Sequence, residues 1–399
     1  MRLADVRRAG HVPSLVAGLL HFEVSFMCWV LIGALGIAIA SDLGLAPWAK
    51  GLAVGMPLVA GSVFRLVVGP AADRRGPRPV GAATLVLTAI AALWGWLSAQ
   101  SLGELLLVGL VLGVAGSSFA VALPLAGRAF EPRYRGLAMG IAGAGNSGTV
   151  IAALVAPRLA AKVGWHAVMG LAALPVVAVL AAFLLLTKNT PAAESEASQP
   201  LRRVWTSPDA RSLSLIYLVS FGGFVGMVSF LPILLRDIYG VSVTWAATAT
   251  AICAGAGSFL RPVGGHLADR LGGERVLPTV FAVAATAMLG VAGRPTPVAA
   301  VALLTVTVGA LGAGNGAVFQ IVPRLFPQQM GAVTGLVGAA GGLGGFALPF
   351  GLGVMRSWTG SYAAGLATFA VACLFACAAL GQASRRWRVI GSELAAEAA

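Results

Sequence analysis

Residues 60–76 read AGSVFRLVVGPAADRRG and residues 256–272 read AGSFLRPVGGHLADRLG, and the two stretches align without a gap at a constant offset of 196 positions. Gly61 falls on Gly257, Arg65 on Arg261, Gly69 on Gly265, Asp73 on Asp269 and Gly76 on Gly272. In each copy a lone arginine stands eight residues before the aspartate of a charged turn, inside an otherwise apolar run. In a helix ending at that turn, a rise of about 1.5 Å per residue puts the guanidinium roughly 12 Å in, near the middle of a hydrocarbon layer about 30 Å thick. A charge at that depth costs at least about 2.5 to 3.5 kcal/mol, so it lines a cavity and finds a partner. Two such cations, related by an internal repeat, need something negative between them.

The chain as a whole is 58% hydrophobic and only 10% charged, with 53 glycines and a mean hydropathy of +0.89. That composition predicts an all-α membrane protein. Twelve apolar runs are long enough to cross a bilayer, over residues 14–40, 48–70, 78–98, 103–127, 137–161, 165–187, 211–236, 244–268, 275–292, 298–323, 331–355 and 361–382. With the N-terminus in the cytoplasm, 19 of the 27 lysines and arginines fall in cytoplasmic segments or span ends, 6 in external ones, and only Arg65 and Arg261 deep within spans. The asymmetry predicts a multi-pass protein of the cytoplasmic (inner) membrane with both termini inside. The net charge of +13 is thus a topology signal, and no nucleic-acid partner is expected. The run after Arg2, Arg7 and Arg8 is too long for a signal-peptide core and reads as the first span.

The longest polar break, rich in Pro, Ser, Glu and Arg, divides the spans six and six. The predicted domains are an N-terminal half over 1–187, a cytoplasmic linker over 188–210, a C-terminal half over 211–382 and a cytoplasmic tail over 383–399. The repeat extends beyond its opening stretch, since Gly113, Gly116 and Arg128 map on Gly309, Gly312 and Arg324 at the same offset of 196. A parallel repeat of six helices places a binding site between the halves, near the midplane. Cys28, Cys253, Cys373 and Cys377 sit in apolar runs without ligand spacing, so no metal site is expected. There is no phosphate loop and no nucleophile with a base at working distance, which argues against an enzyme and against a cofactor.

Within the spans, the candidate binding residues are Arg65 and Arg261, whose flat guanidinium forks fit a planar oxyanion in two-point contact. Asn146 in GIAGAGNSG and Asn315 in GALGAGNGAVFQ add amides that can donate to an oxyanion, although glycine runs of this kind also serve plain helix packing. The turns Asp73-Arg74-Arg75-Gly76 and Asp269-Arg270-Leu271-Gly272 resemble the loop motif of major facilitator proteins. In that motif the aspartate pairs with nearby arginines to hold an inner gate, which makes Asp73, Arg74, Asp269 and Arg270 gating candidates.

Taken together, the chain resembles the nitrate/nitrite porter branch of the major facilitator superfamily. The resemblance rests on the twin arginines, the GAGNSG and GAGNG stretches, the GxxGGF run from Gly341 to Phe346, HFEVSFMCWVLIGALG in the first span, YLVSFGGFVG in the seventh and GVAGSSFAV in the fourth. It implies a twelve-helix carrier in two halves that works by alternating access on nitrate, and on nitrite as a second anion. It further implies that Arg65 and Arg261 hold the anion, Tyr217 adds a hydrogen bond, Phe119 and Phe221 cover its faces and Asn146 lines the pocket. A monomer is the expected functional unit. A porter for another small anion would use the same arginines.

Coupling is open at this level, because nitrate/nitrite exchange needs no titratable group whereas proton-linked uptake needs at least one. Glu23, with His21 two residues before it, is the proton-coupling candidate, and its surroundings resemble the proton-linked branch. His266 and Glu104 are weaker candidates near span ends.

Overall fold

The computed structural model describes residues 10–131, 134–188, 206–326 and 330–397. Twelve of its helices are long and apolar enough to span a bilayer. They are α1 (Val12–Trp29), α2 (Pro47–Arg75), α3 (Pro77–Ser98), α4 (Leu102–Arg128), α5 (Ala138–Val163), α6 (Trp165–Leu186), α7 (Pro208–Tyr239), α8 (Val243–Leu271), α9 (Gly273–Ala292), α10 (Pro297–Val322), α11 (Val333–Thr359) and α12 (Ala363–Trp387). Helices dominate because hydrocarbon offers the backbone no hydrogen-bonding partner, so each spanning segment must satisfy its own.

Three departures from the sequence expectation matter. The first span is not continuous over 14–40: α1 stops at Trp29, and short helices Leu31–Ala34 and Gly36–Asp42 carry the chain on. The carbonyl of Ser229 and the side chain of Ile233, both on α7, occupy the space beside Gly33 and Gly36, so the broken segment wraps the opposite half instead of running straight. Second, α4 and α5 each contain a tighter 3₁₀ stretch, Gly113–Ser117 and Ala144–Ser147, of the kind that marks local hinges. Third, α7 begins at Pro208, inside the expected linker, and the last helix runs on to Glu397 through the expected tail. The rest of the linker, residues 189–205, lies outside the described residues.

The halves meet along α2 against α11, α5 against α8, and the broken end of α1 against α7. Helix α7 is the most enclosed span, with 94% of its apolar window buried. Association in lipid rests on close van der Waals packing, which the repeated glycines permit. Gly76 and Gly272 have another task. Each sits at a positive φ, 86° and 89°, where the chain turns between α2 and α3 and between α8 and α9; a side chain would strain that backbone.

Candidate functional site

Arg65 and Arg261 leave α2 and α8 at matching positions and face the seam between the halves, yet their surroundings differ. Arg65 is 4% exposed. Its Nε donates to the carbonyl of Gly116 on α4 at 2.8 Å and its Nη1 to the carbonyl of Gly338 on α11 at 2.6 Å, so one guanidinium ties three helices and both halves. Its carbon lies 5.1 Å from the Trp29 ring and 5.2 Å from the Phe221 ring, which are 6.3 Å apart and nearly parallel. A cation held by ring faces and carbonyl dipoles is stabilised without a carboxylate. Two of its five N–H groups are engaged by carbonyls, which leaves the Nη2 edge for a ligand.

Arg261 is only half-buried. Its carbon lies 5.9 Å from the Phe319 ring, and the Tyr217 hydroxyl interacts with its guanidinium. No backbone carbonyl accepts from it among the described residues. The next residue, Pro262, has no N–H to give the carbonyl of Ser258, so α8 is free to bend at this turn. The two arginines are close enough for the charge of Arg261 to act on Arg65. Among the described residues, no acidic side chain pairs with either.

Aromatic rings wall the space around them. Tyr217 stacks on Phe221 at 5.0 Å and meets Phe319 edge-on at 5.1 Å, while Phe119 lies 5.8 Å from Phe319. Asn146 joins the site through its amide, which donates to the Ser258 hydroxyl across the seam at 3.2 Å; its carbonyl oxygen is buried without a partner. Asn315 is buried on α10 with its amide oxygen unpartnered, and no contact joins it to either guanidinium among the described residues.

Trp29 and Phe319 were not singled out from the sequence. For Trp29 a signal was available in the glycines. A Cβ at Gly116 would lie 2.4 Å from the indole and one at Gly61 2.8 Å, so two of the repeated glycines are small to admit this ring. The indole is then fixed by donating to the Pro57 carbonyl at 2.7 Å. Gly116→Ala is expected to destabilise the protein by about 1 to 3 kcal/mol through overpacking. Gly140→Ala, where a Cβ meets nothing within 4 Å, should not. Thermal unfolding of both variants in detergent checks this.

The remaining candidates lie apart. Glu23 is half-buried on α1 and accepts from Ser147 of the 3₁₀ stretch at 3.0 Å, one residue from Asn146. His21 does not join it: the ring is buried, with Nε2 within 3.2 Å of the Gly81 carbonyl and 3.1 Å of the Thr84 hydroxyl on α3. Glu104 accepts from the Ser101 hydroxyl and the Gln100 backbone N–H while its own N–H donates to Ser101, capping the start of α4, a structural task. At the charged turns, Asp73 accepts from Arg128 at 2.7 Å within the N-terminal half. The C-terminal copy departs from this. Arg324, the counterpart of Arg128, pairs with Glu274 at 3.2 Å, and Asp269, Arg74 and Arg270 make no ion pair among the described residues.

A helical bundle in two repeated halves, with two arginines at the seam and no acidic side chain paired with either among the described residues, fits a carrier for a small anion. The chain belongs to the Major Facilitator Superfamily, whose family model matches residues 17–349. Among its relatives is a probable nitrate/nitrite transporter NarK2 of Mycobacterium tuberculosis, 35% identical over 381 residues that cover 92% of this chain and 95% of the relative. A probable nitrate/nitrite antiporter NarK1 of Thermus thermophilus is 34% identical, covering 86% of this chain and 84% of the relative. At these identities the chain is a member of the same branch, the nitrate/nitrite porter family. The fold is also similar to that of a bacterial homologue of the human lysosomal transporter Spinster, with a TM-score of 0.73 at 20% identity, covering 93% of this chain and 96% of that one.

Proposed function

We propose that this protein carries nitrate across the membrane by alternating access, and that nitrite is a second substrate. The observation that carries the reading is the pair of guanidinium groups at one seam with no acidic partner among the described residues, one hydrogen-bonded only to carbonyls and the other half-buried. A weakly hydrated, flat anion neutralises both at little desolvation cost. The relatives named nitrate/nitrite transporters support that choice of anion.

In this reading Arg65, Arg261 and Tyr217 donate to the anion, Phe119 and Phe221 flank it, and Asn146 and Asn315 line the approach. An anion on the Nη2 edge screens the Arg65 charge and so weakens its bond to the Gly338 carbonyl between the halves. The two halves, 1–187 and 211–382, then rock about the loaded site as rigid bodies. The Asp73 and Asp269 turns, with Arg74 and Arg270, face the cytoplasm with both termini and gate that side. A single chain suffices. The experiment is counterflow of labelled nitrate into nitrate-loaded proteoliposomes, which needs neither a gradient nor a particular coupling mode. Accelerated uptake is expected; no acceleration would sink the proposal.

For coupling, proton-linked uptake is the reading, with Glu23 as the proton carrier. Its hydrogen bond to Ser147 supports this by placing it against the stretch that positions Asn146. Glu23→Gln is expected to abolish uptake driven by a pH gradient and to leave counterflow intact. Loss of both, or of neither, would refute the role.

A further inference from the structure

The repeat that pairs the arginines also pairs Ser62 with Ser258, each three residues before its arginine and on the same helix face. The two hydroxyls have different fates. Ser62 is 2% exposed and donates to the Leu58 carbonyl one turn back at 3.1 Å. Helix α11 seals it, since a Cβ on Gly342 would fall 2.1 Å from its oxygen. Ser258 is half-buried at the seam, and its oxygen accepts from the Asn146 amide across the cleft at 3.2 Å. Its own proton finds no acceptor among the described residues, so it is neither spent on the helix nor paired with the opposite half.

We propose that Ser258 is a further substrate-contact residue, whose hydroxyl, aimed by Asn146, donates to the third oxygen of nitrate and so favours nitrate over nitrite. The inference rests on the nitrate reading above. Two guanidinium forks account for two-point contacts to an oxyanion; nitrate has three oxygens in its plane and nitrite two. A donor one helical turn from Arg261, held by an amide that accompanies the approach of the opposite half, meets an oxygen only the larger anion offers. Ser62, already bonded and covered, cannot do the same, so the two halves contribute unequally despite their repeat.

The test measures nitrate counterflow, with nitrite as competitor, for wild type, Ser258→Ala, Ser258→Thr and Ser62→Ala in proteoliposomes. Ser258→Ala is expected to raise the nitrate KM about tenfold, the size of one lost hydrogen bond to a charged group, with kcat little changed. The nitrite inhibition constant should move far less. Ser258→Thr, which keeps the hydroxyl, should restore nitrate affinity, and Ser62→Ala should behave as wild type. An unchanged nitrate KM, an equal loss for nitrate and nitrite, or an equal loss in Ser62→Ala would overturn the assignment. Absence of counterflow in the wild type would instead overturn the nitrate reading itself. If Ser258→Ala is not recovered folded, Ser258→Cys decides by its rate of methylthiolation at that cysteine, read by mass spectrometry. Slowing by nitrate supports the contact, and an unaltered rate refutes it.

Discussion

Arg261→Lys is expected to lower nitrate kcat/KM on the order of thirtyfold or more, about 2 to 5 kcal/mol of lost stabilisation, while leaving the melting temperature near that of the wild type. Lysine keeps the charge but loses the flat fork that meets two oxygens at once. Since no carbonyl depends on Arg261 among the described residues, little of the fold is lost with it. Arg65→Lys should cost as much in transport and more in stability. It removes bonds to Gly116 at 2.8 Å and Gly338 at 2.6 Å, of which one ammonium cannot easily reproduce both, and it vacates the space beside Trp29 and Phe221. Hydrogen bonds to a charged group are worth about 1.5 to 3 kcal/mol each, so a lower melting temperature is expected for this variant alone. Transport at wild-type rates in either variant would contradict the clamp. Equal melting temperatures in the two would contradict the asymmetry between them.

That asymmetry marks where a sequence stops being informative. The twelve spans are legible because a bilayer demands long apolar segments whatever packs around them. The arginines are legible because a charge within such a segment is costly. Their spacing within each repeat is identical, so nothing local to residues 60–76 or 256–272 tells which one is pinned. The difference arises from partners far along the chain, Gly338 for Arg65 and Tyr217 for Arg261. Trp29 was hidden for a related reason. The run VLIGALG after it is apolar throughout and reads as one helix, whereas the break at Val30 follows from what Gly33 and Gly36 touch on α7. Lys50 entered the reading only as one of the counted lysines and arginines, and Asp237 not at all, because their pairing crosses 187 positions of sequence.

That pairing holds the two halves together at one end of the seam. Lys50, near the start of α2, donates to both carboxylate oxygens of Asp237, near the end of α7, at 3.0 and 2.8 Å, with side chains only 17% and 19% exposed. The Tyr362 hydroxyl donates to the same carboxylate at 2.7 Å. Burial first, and then the carboxylate itself, push this phenol well above its ordinary range, so it stays a donor. Two further bonds cross the seam at this end, from the Trp48 backbone to Ser357 at 3.2 Å and from Arg158 to Thr248 at 2.6 Å. At the end that carries the charged turns, every ion pair among the described residues stays within one half: Asp73 with Arg128, Glu274 with Arg324 and Asp209 with Arg386. Electrostatic closure is therefore one-sided, and a contact present in one state only biases the equilibrium by its own free energy. Asp237→Asn should release about 1.5 kcal/mol of that bias, taken at the low end because the pair is partly solvated, and raise the population open at this end roughly tenfold. The readout is the labelling of Val54→Cys, one turn along α2 and 3% exposed in the closed seam, by an impermeant maleimide added from the side that Lys50 faces. Exchanging the charges, Lys50→Asp with Asp237→Lys, should return labelling toward the starting level. If Asp237→Asn labels no faster than its parent, closure at this end rests on helix packing and the ion pair is incidental to it.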